Sequence, residues 1–241
     1  MYSKELGINF FGNESNKKTK LKKIDILKNN INNFKIFLVI AGTNTSQIPG
    51  ISAAGLNAKS RRITALADAE FLLMGASKDH KYKLPPLNAG VTPALISHVC
   101  SKLLNVYPVI VPLGIEVKPH FNHLIVEDRD LGPSNCLSTG KSMPRDRVVN
   151  LYKRGLEIGK SSKQPILISE SVPGGTTTAQ AVMEAFGLRV SNLVGSSLFK
   201  APRELRRKVV QKGLLNANLK TDFDSFDVVA AVGDPFQAFS M

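Results

Sequence analysis

The 241-residue chain has no tryptophan, only two cysteines and few acidic side chains: 19 Asp and Glu stand against 32 Lys and Arg, a formal net charge of +13. Cys100 and Cys136 form no C-x-x-C pair and offer no disulfide framework, so a reducing, cytoplasmic setting is expected. No apolar run approaches the roughly 18 residues needed to cross a bilayer, which excludes a membrane partner of the spanning kind. The opening stretch MYSKELGINFFGNES, broken by Lys4 and Glu5, lacks the apolar segment and cleavage pattern of a secretory signal. Absent too is any G-x-G-x-x-G, so a dinucleotide fold of the common type is not supported. What is present, 43% apolar and 21% charged residues, suits one α/β domain, or a large domain with a small appendage.

The positive charge has two parts. Residues 1–35 hold eight lysines against Glu5, Glu14 and Asp25 among many asparagines; residues 1–33 read as a Lys/Asn-rich arm or a small helical segment. The remainder of the charge is spread over residues 34–241. A field of that sign favours anionic ligands, phosphorylated metabolites or nucleic acid, and charge alone does not choose between them.

From Lys35 onward, short β-branched runs end repeatedly in glycine or a small polar turn. Ile36–Ile40, Phe71–Met74, Val109–Val111, Ile166–Ile168 and Val228–Val232 are predicted strands, buried on both faces as in a parallel sheet. Helices are predicted between them. Thr92 and Pro93 open one with Leu95, Ile96, Val99 and Leu103 as an apolar stripe, and Pro144 opens another. Thr176–Phe186 should be closed by Gly187, with Ala179, Val182, Met183 and Phe186 inward. Pro202 opens the last, with Leu205 and Val209 inward and Arg203, Arg206, Arg207, Lys208 and Lys212 facing water. The alternation predicts a Rossmann-like, mostly parallel α/β sheet flanked by helices, with a small helical N-terminal part. Ligands of such folds bind in the crevice at the carboxyl ends of the strands.

The most informative segment there is Glu170-Ser171-Val172-Pro173-Gly174-Gly175-Thr176-Thr177-Thr178. Gly174 and Gly175 allow backbone to approach a ligand, and the first helical turn with its threonine hydroxyls makes an anion site. The dipole contributes only about 0.3–1 kcal/mol, so direct hydrogen bonds must supply most of the affinity. The plain alternative is a capped helix after a tight turn. Glu170 either holds ribose hydroxyls or moves a proton, or else bonds the loop's own N–H groups. Asp234 either accepts from a ribose diol or simply forms a turn before Pro235. Gly140-Lys141-Ser142 is no P-loop, because Asn135 stands where the motif needs glycine. His120 and His123 have no ligand cluster at metal spacing and read as loop histidines. The basic helix after Pro202 lacks interleaved aromatics, which argues against a nucleic-acid partner.

Ile48-Pro49-Gly50-Ile51-Ser52-Ala53-Ala54-Gly55, Asp68-Ala69-Glu70-Phe71-Leu72-Leu73-Met74-Gly75, Thr92-Pro93-Ala94-Leu95-Ile96 and Glu170–Ala179 occur here in one order. From about Lys35 onward the chain resembles the nicotinate-nucleotide:dimethylbenzimidazole phosphoribosyltransferase family, in particular its archaeal and cyanobacterial branch. The resemblance implies a cytoplasmic, usually homodimeric enzyme that transfers phosphoribose from nicotinate mononucleotide to the lower-ligand base of cobamides, with neither cofactor nor resident metal. It implies a 5′-phosphate site at Gly174, Gly175, Thr176 and Thr177, with Asp234 near the ribose. Glu170 and Lys208 match the catalytic residues, and the aromatic base would sit among Thr43–Ser52 and Leu87–Thr92.

Members of that family run well over 300 residues and carry their principal general base, a Glu, in a Gly-rich segment near the end. Against that pattern the chain reads as C-terminally truncated, Ala238–Met241 do not read as a capped helix, and sheet surface is expected to be left uncovered. Nucleotide binding without turnover is then expected. The competing reading is a non-catalytic module that binds a phosphorylated, nucleotide-like metabolite.

Overall fold

The computed structural model describes residues 17–30, 33–55, 57–84, 92–196, 198 and 200–241. Helix α1 (Lys17–Asn30) precedes β1 (Lys35–Ala41), a 3₁₀ turn (Asn44–Gln47) and α2 (Ala58–Met74). Then come α3 (Pro93–Leu104), β2 (Val109–Leu113), short 3₁₀ turns at Arg129–Leu131 and Leu137–Thr139, and α4 (Arg145–Ser161). The chain closes with β3 (Ile166–Ser171), α5 (Gly175–Ala185), α6 (Arg203–Ala217), α7 (Ser225–Val232) and α8 (Pro235–Ser240).

Three strands form one parallel sheet in the order β2-β1-β3. Phe37 pairs with Val109 on one side of β1 and with Ile168 on the other. Because side chains alternate along a strand, β1 serves two cores. Phe37, Val39 and Ala41 join Val111, Leu113, Val148, Leu151, Ala238 and Phe239 on the face covered by α4, α7 and α8. Leu38 and Ile40 join Ile110, Ala65, Leu66 and Ala69 on the face covered by α2. A third cluster joins α5, α6 and α7 through Ala181, Val209, Val210, Val228 and Val232. This is an α/β fold of the expected class.

Two predicted strands are helical. Phe71–Met74 is the last turn of α2, which starts at a capping box: Asn57 accepts from Ser60 N at 2.9 Å and Ser60 Oγ accepts from Asn57 N at 3.1 Å. Buried Ala65, Ala69 and Leu72 recur at helical spacing, so the aliphatic tetrapeptide continues an existing period. Val228–Val232 lies in α7 behind the Asp224–Asp227 capping box. Its β-branched residues are tolerated because Val228, Val229 and Val232 are all buried, and packing overrides propensity.

The helix after Thr92 is present, but its stripe faces outward: Ile96, Val99 and Leu103 are exposed, while Ala94 is buried and His98 Nδ1 lies 2.8 Å from the Leu72 carbonyl. In α5 the buried residues are Thr177, Thr178, Gln180 and Ala181, with Phe186 exposed just past its end. The C-terminal residues also depart from expectation. α8 is a capped helix, with Asp234 and Gln237 as a reciprocal box, and it buries Ala238 and Phe239. It lies so close to α4 that a Cβ on Gly155 would stand 2.1 Å from the Phe239 carbonyl oxygen. No helix among the described residues is long and apolar enough to cross a membrane.

Candidate functional site

Three carboxylates from separate elements converge beside the N-terminus of α5. Asp68 projects from α2, Glu170 from β3, and Asp234 is the cap of α8. Glu170 is exposed by surface area, and its pKa is raised by the partial desolvation of its carboxylate first and then by neighbouring Asp234 and Asp68, against a backbone hydrogen bond from Val172 that lowers it. Burial likewise pushes Asp68 up, opposed by hydroxyl donors Ser171 (2.9 Å to Oδ2) and Thr92 (3.1 Å to Oδ1). Asp234, 1% exposed, is raised by burial and held by the Thr178 hydroxyl and by backbone N–H groups at Gln237 and Phe236.

Thr178 Oγ1 is within reach of both the Gly175 carbonyl, at 2.9 Å, and Asp234 Oδ2. Burial pushes the Asp234 pKa up, while the Thr178 hydroxyl donating to Oδ2 and the backbone N–H groups at Gln237 and Phe236 oppose the rise. Asp68 bridges α2, β3 and the cap of α3; nothing in its spacing singled it out as a site residue, and its signal is the pair of hydrogen bonds, from Ser171 and Thr92, that only folding creates.

Gly174 adopts φ 87°, ψ −7°, and a Cβ there would lie 3.0 Å from Ser46 N. The bend is thus seated on the Asn44–Gln47 turn rather than standing free. Gly175 N–H donates to the Val172 carbonyl at 2.7 Å and Thr177 N–H to the Gly174 carbonyl at 2.9 Å. Among the described residues, the N–H groups of Gly174 and Thr176 and the hydroxyls of Thr176 and Thr177 make no hydrogen bond. Thr177 is nonetheless buried. Beside Pro173, at the ends of β1 and β2, lies a small crevice of about 20 Å³ lined by Thr43, Asn44, Arg61, Arg62 and Glu116. Arg61 is buried against the carbonyls of Ser46, Gln47 and Gly55, which fixes the loop that follows β1.

The structure does not bring Lys208 to this group. Lys208 stands in solvent, 3.7 Å from Glu204 on the outer face of α6. Arg206, expected to face water, is 1% exposed. Its position follows from helical phase, since Arg206, Val209, Val210 and Gly213 form the buried face. Its Nη1 donates to the Gly195 carbonyl at 2.7 Å, its Nη2 has no partner, and no carboxylate pairs with it among the described residues. Burial, with Arg203 nearby, lowers its pKa. Of the expected base pocket, Thr43–Ser52 flank the crevice and Thr92 caps α3, while residues 87–91 lie outside the described residues.

His120 is a partner of buried Glu70, with Nε2 3.0 Å from Oε1, and His123 Nδ1 lies 2.8 Å from the Phe121 carbonyl. Among the described residues no group of three His, Cys, Asp or Glu could hold a metal.

No family model matches the chain. It is 88% identical over all 241 residues to a UPF0284 protein of Prochlorococcus marinus strain MIT 9215, and spans 63% of that relative. A UPF0284 protein of Parasynechococcus marenigrum strain WH8102 is 48% identical over 205 residues, covering 85% of this chain and 52% of its own length. Among solved structures, CobT from Thermus thermophilus superimposes with a TM-score of 0.60 at 18% identity, over 85% of this chain and 56% of that one. A nicotinate-nucleotide-dimethylbenzimidazole phosphoribosyltransferase from the same organism gives 0.59 at 18%, over 85% and 55%. At that identity the likeness is one of fold: the chain has a CobT-like α/β fold.

Proposed function

We propose that the site at the N-terminus of α5 binds nicotinate mononucleotide and belongs to a phosphoribosyl transfer onto a benzimidazole-type base. The observation that carries the reading is a carboxylate of raised pKa, Glu170, held beside a helix start whose Thr177 hydroxyl makes no hydrogen bond among the described residues. The CobT-like fold and the motif order from Ile48 to Ala179 support it.

In this reading the 5′-phosphate takes the free N–H groups of Gly174 and Thr176 and the hydroxyls of Thr176 and Thr177. Gly175 shapes the bend. Lys208 takes no part in this reading. Asp234 accepts from the Thr178 hydroxyl and so orients Thr178. In the reaction a base nitrogen forms a bond to the ribose anomeric carbon as the bond to the nicotinate ring nitrogen breaks. That bonding pair neutralises the pyridinium, and the proton on the incoming base passes to Glu170, whose raised pKa suits a general base. These 241 residues span 63% of the length of the MIT 9215 relative.

Calorimetric titration with nicotinate mononucleotide and with the riboside lacking phosphate tests this. The nucleotide should bind at least tenfold tighter, and Glu170→Gln should leave binding intact while removing any ribazole phosphate formation. Absence of nucleotide binding at millimolar concentration overturns the proposal.

A further inference from the structure

The two most basic helices use their charge differently. On α6, Arg207 donates to Glu204 at 2.6 Å, Lys208 lies 3.7 Å from the same carboxylate, and Arg206 is buried. On α1, six lysines stand against Asp25 alone in 14 residues. Lys18, Lys22, Lys23 and Lys28 are exposed, and among the described residues none of these four has an ion-pair or hydrogen-bond partner. No hydrophobic core cluster takes a residue from α1. Lys18 and Lys22, four apart, are like charges on one side of a helix, an arrangement that weakens it unless an anion lies between them.

The body continues the same sign. α1 ends shortly before Lys35, the first residue of β1. Lys163 stands just before β3, where Gln164 Nε2 donates to Asn33 Oδ1 at 3.2 Å, and Lys160 lies in the last turn of α4. Glu157 nearby is engaged by Arg154 at 2.7 Å. These lysines mark the amino-terminal pole of the sheet, opposite the strand ends that carry Glu170 and α5.

We propose that α1 and this pole bind duplex DNA through its phosphates, without reading sequence. By helical phase Lys18 and Lys22 share one side of α1, while Lys23 and Lys28 point along two others. Cations all round a helix suit a groove with phosphates on both walls. A helix with its side chains is about 10–12 Å across, which matches the B-DNA major groove of about 12 Å; the A-form groove is too narrow. α1 has no arginine, whose planar fork reads guanine, so the contacts carry no sequence preference. It has no aromatic residue on which a single strand could stack. Nor has it the continuous apolar face that a bilayer surface takes, since Lys20 and Lys28 interrupt the side bearing Leu21, Ile24 and Leu27.

Fluorescence anisotropy of the 241-residue chain with a short labelled duplex tests this. With about four phosphates neutralised, affinity should fall roughly 100-fold between 50 and 200 mM salt. Lys18→Gln, Lys22→Gln, Lys23→Gln and Lys28→Gln together should weaken binding at least tenfold at the lower salt and flatten the salt dependence. Glutamine preserves helix propensity, so only charge changes. The matched set Arg203→Gln, Arg207→Gln, Lys208→Gln and Lys212→Gln on α6 should have less than a threefold effect. Nicotinate mononucleotide in excess should not displace the duplex. Absence of duplex binding at 50 mM salt overturns the proposal, and so does binding that the α1 variant leaves unchanged. Tighter binding to a single strand or to phosphatidylserine vesicles overturns it too, as does displacement by the mononucleotide, which would move the DNA to the opposite pole.

Discussion

Arg206→Met should raise the melting temperature of the protein. The guanidinium is fully buried with one good hydrogen bond, to the Gly195 carbonyl, and an unpartnered Nη2. An unsatisfied buried donor costs about 1–3 kcal/mol. Replacing buried charge by an apolar group of similar shape is often neutral or stabilising. Against that stands the lost hydrogen bond, about 1 kcal/mol, and Gly195 is exposed, so water can take over its carbonyl. The balance favours methionine by roughly 1 kcal/mol, a rise of about 2–4 °C for a domain of this size. Differential scanning fluorimetry checks this: the variant should melt higher than the wild type. A lower melting temperature would mean that the charge is satisfied within the fold.

Asp234→Asn probes the buried cap. A carboxyl whose pKa is raised by folding stabilises the native state fully below its unfolded value and loses that contribution as pH rises through the native value. The amide variant should therefore gain on the wild type as pH rises from 4 to 8 in thermal melts; a constant difference refutes the raised pKa. Gly174→Ala should destabilise by about 1–2 kcal/mol in urea titration, because φ is positive and the new Cβ crowds Ser46 N. A neutral outcome would show that the bend can relax. Gly155→Ala forces a methyl group onto the Phe239 carbonyl and should cost about 1–3 kcal/mol. The same substitution in a chain lacking residues 235–241 should cost less, which checks the docking of α8.

The sheet was legible where the apolar run was both short and isolated. Ile36–Ile40, Val109–Val111 and Ile166–Ile168 stand between turn signals, and each lies within a strand. Phe71–Met74 and Val228–Val232 carry the same composition but follow capping residues, Asn57 and Asp224, whose reciprocal partners three positions on mark helix starts. Reading caps before runs would have separated them. Glu170 and the glycine pair were legible because their chemistry is local. Asp68 and Arg206 were not: Asp68 matters through Ser171 and Thr92, far away in sequence, and an arginine in a basic helix has every reason to face water until its phase is fixed by Val209 and Val210. The outward stripe of α3 shows the converse limit, since periodicity reveals an amphipathic face without saying what covers it.

The alternation of β1 between two cores has a kinetic corollary. Val39 and Ile40 are wholly buried, one on each side of the sheet, with paired strands on both flanks. No local fluctuation can expose their amides without separating both layers, so their deuterium uptake should occur only through global opening and report the full unfolding free energy. Amides of β3, released by lifting one strand, should exchange sooner, making the central strand an internal gauge against which every other segment can be ranked.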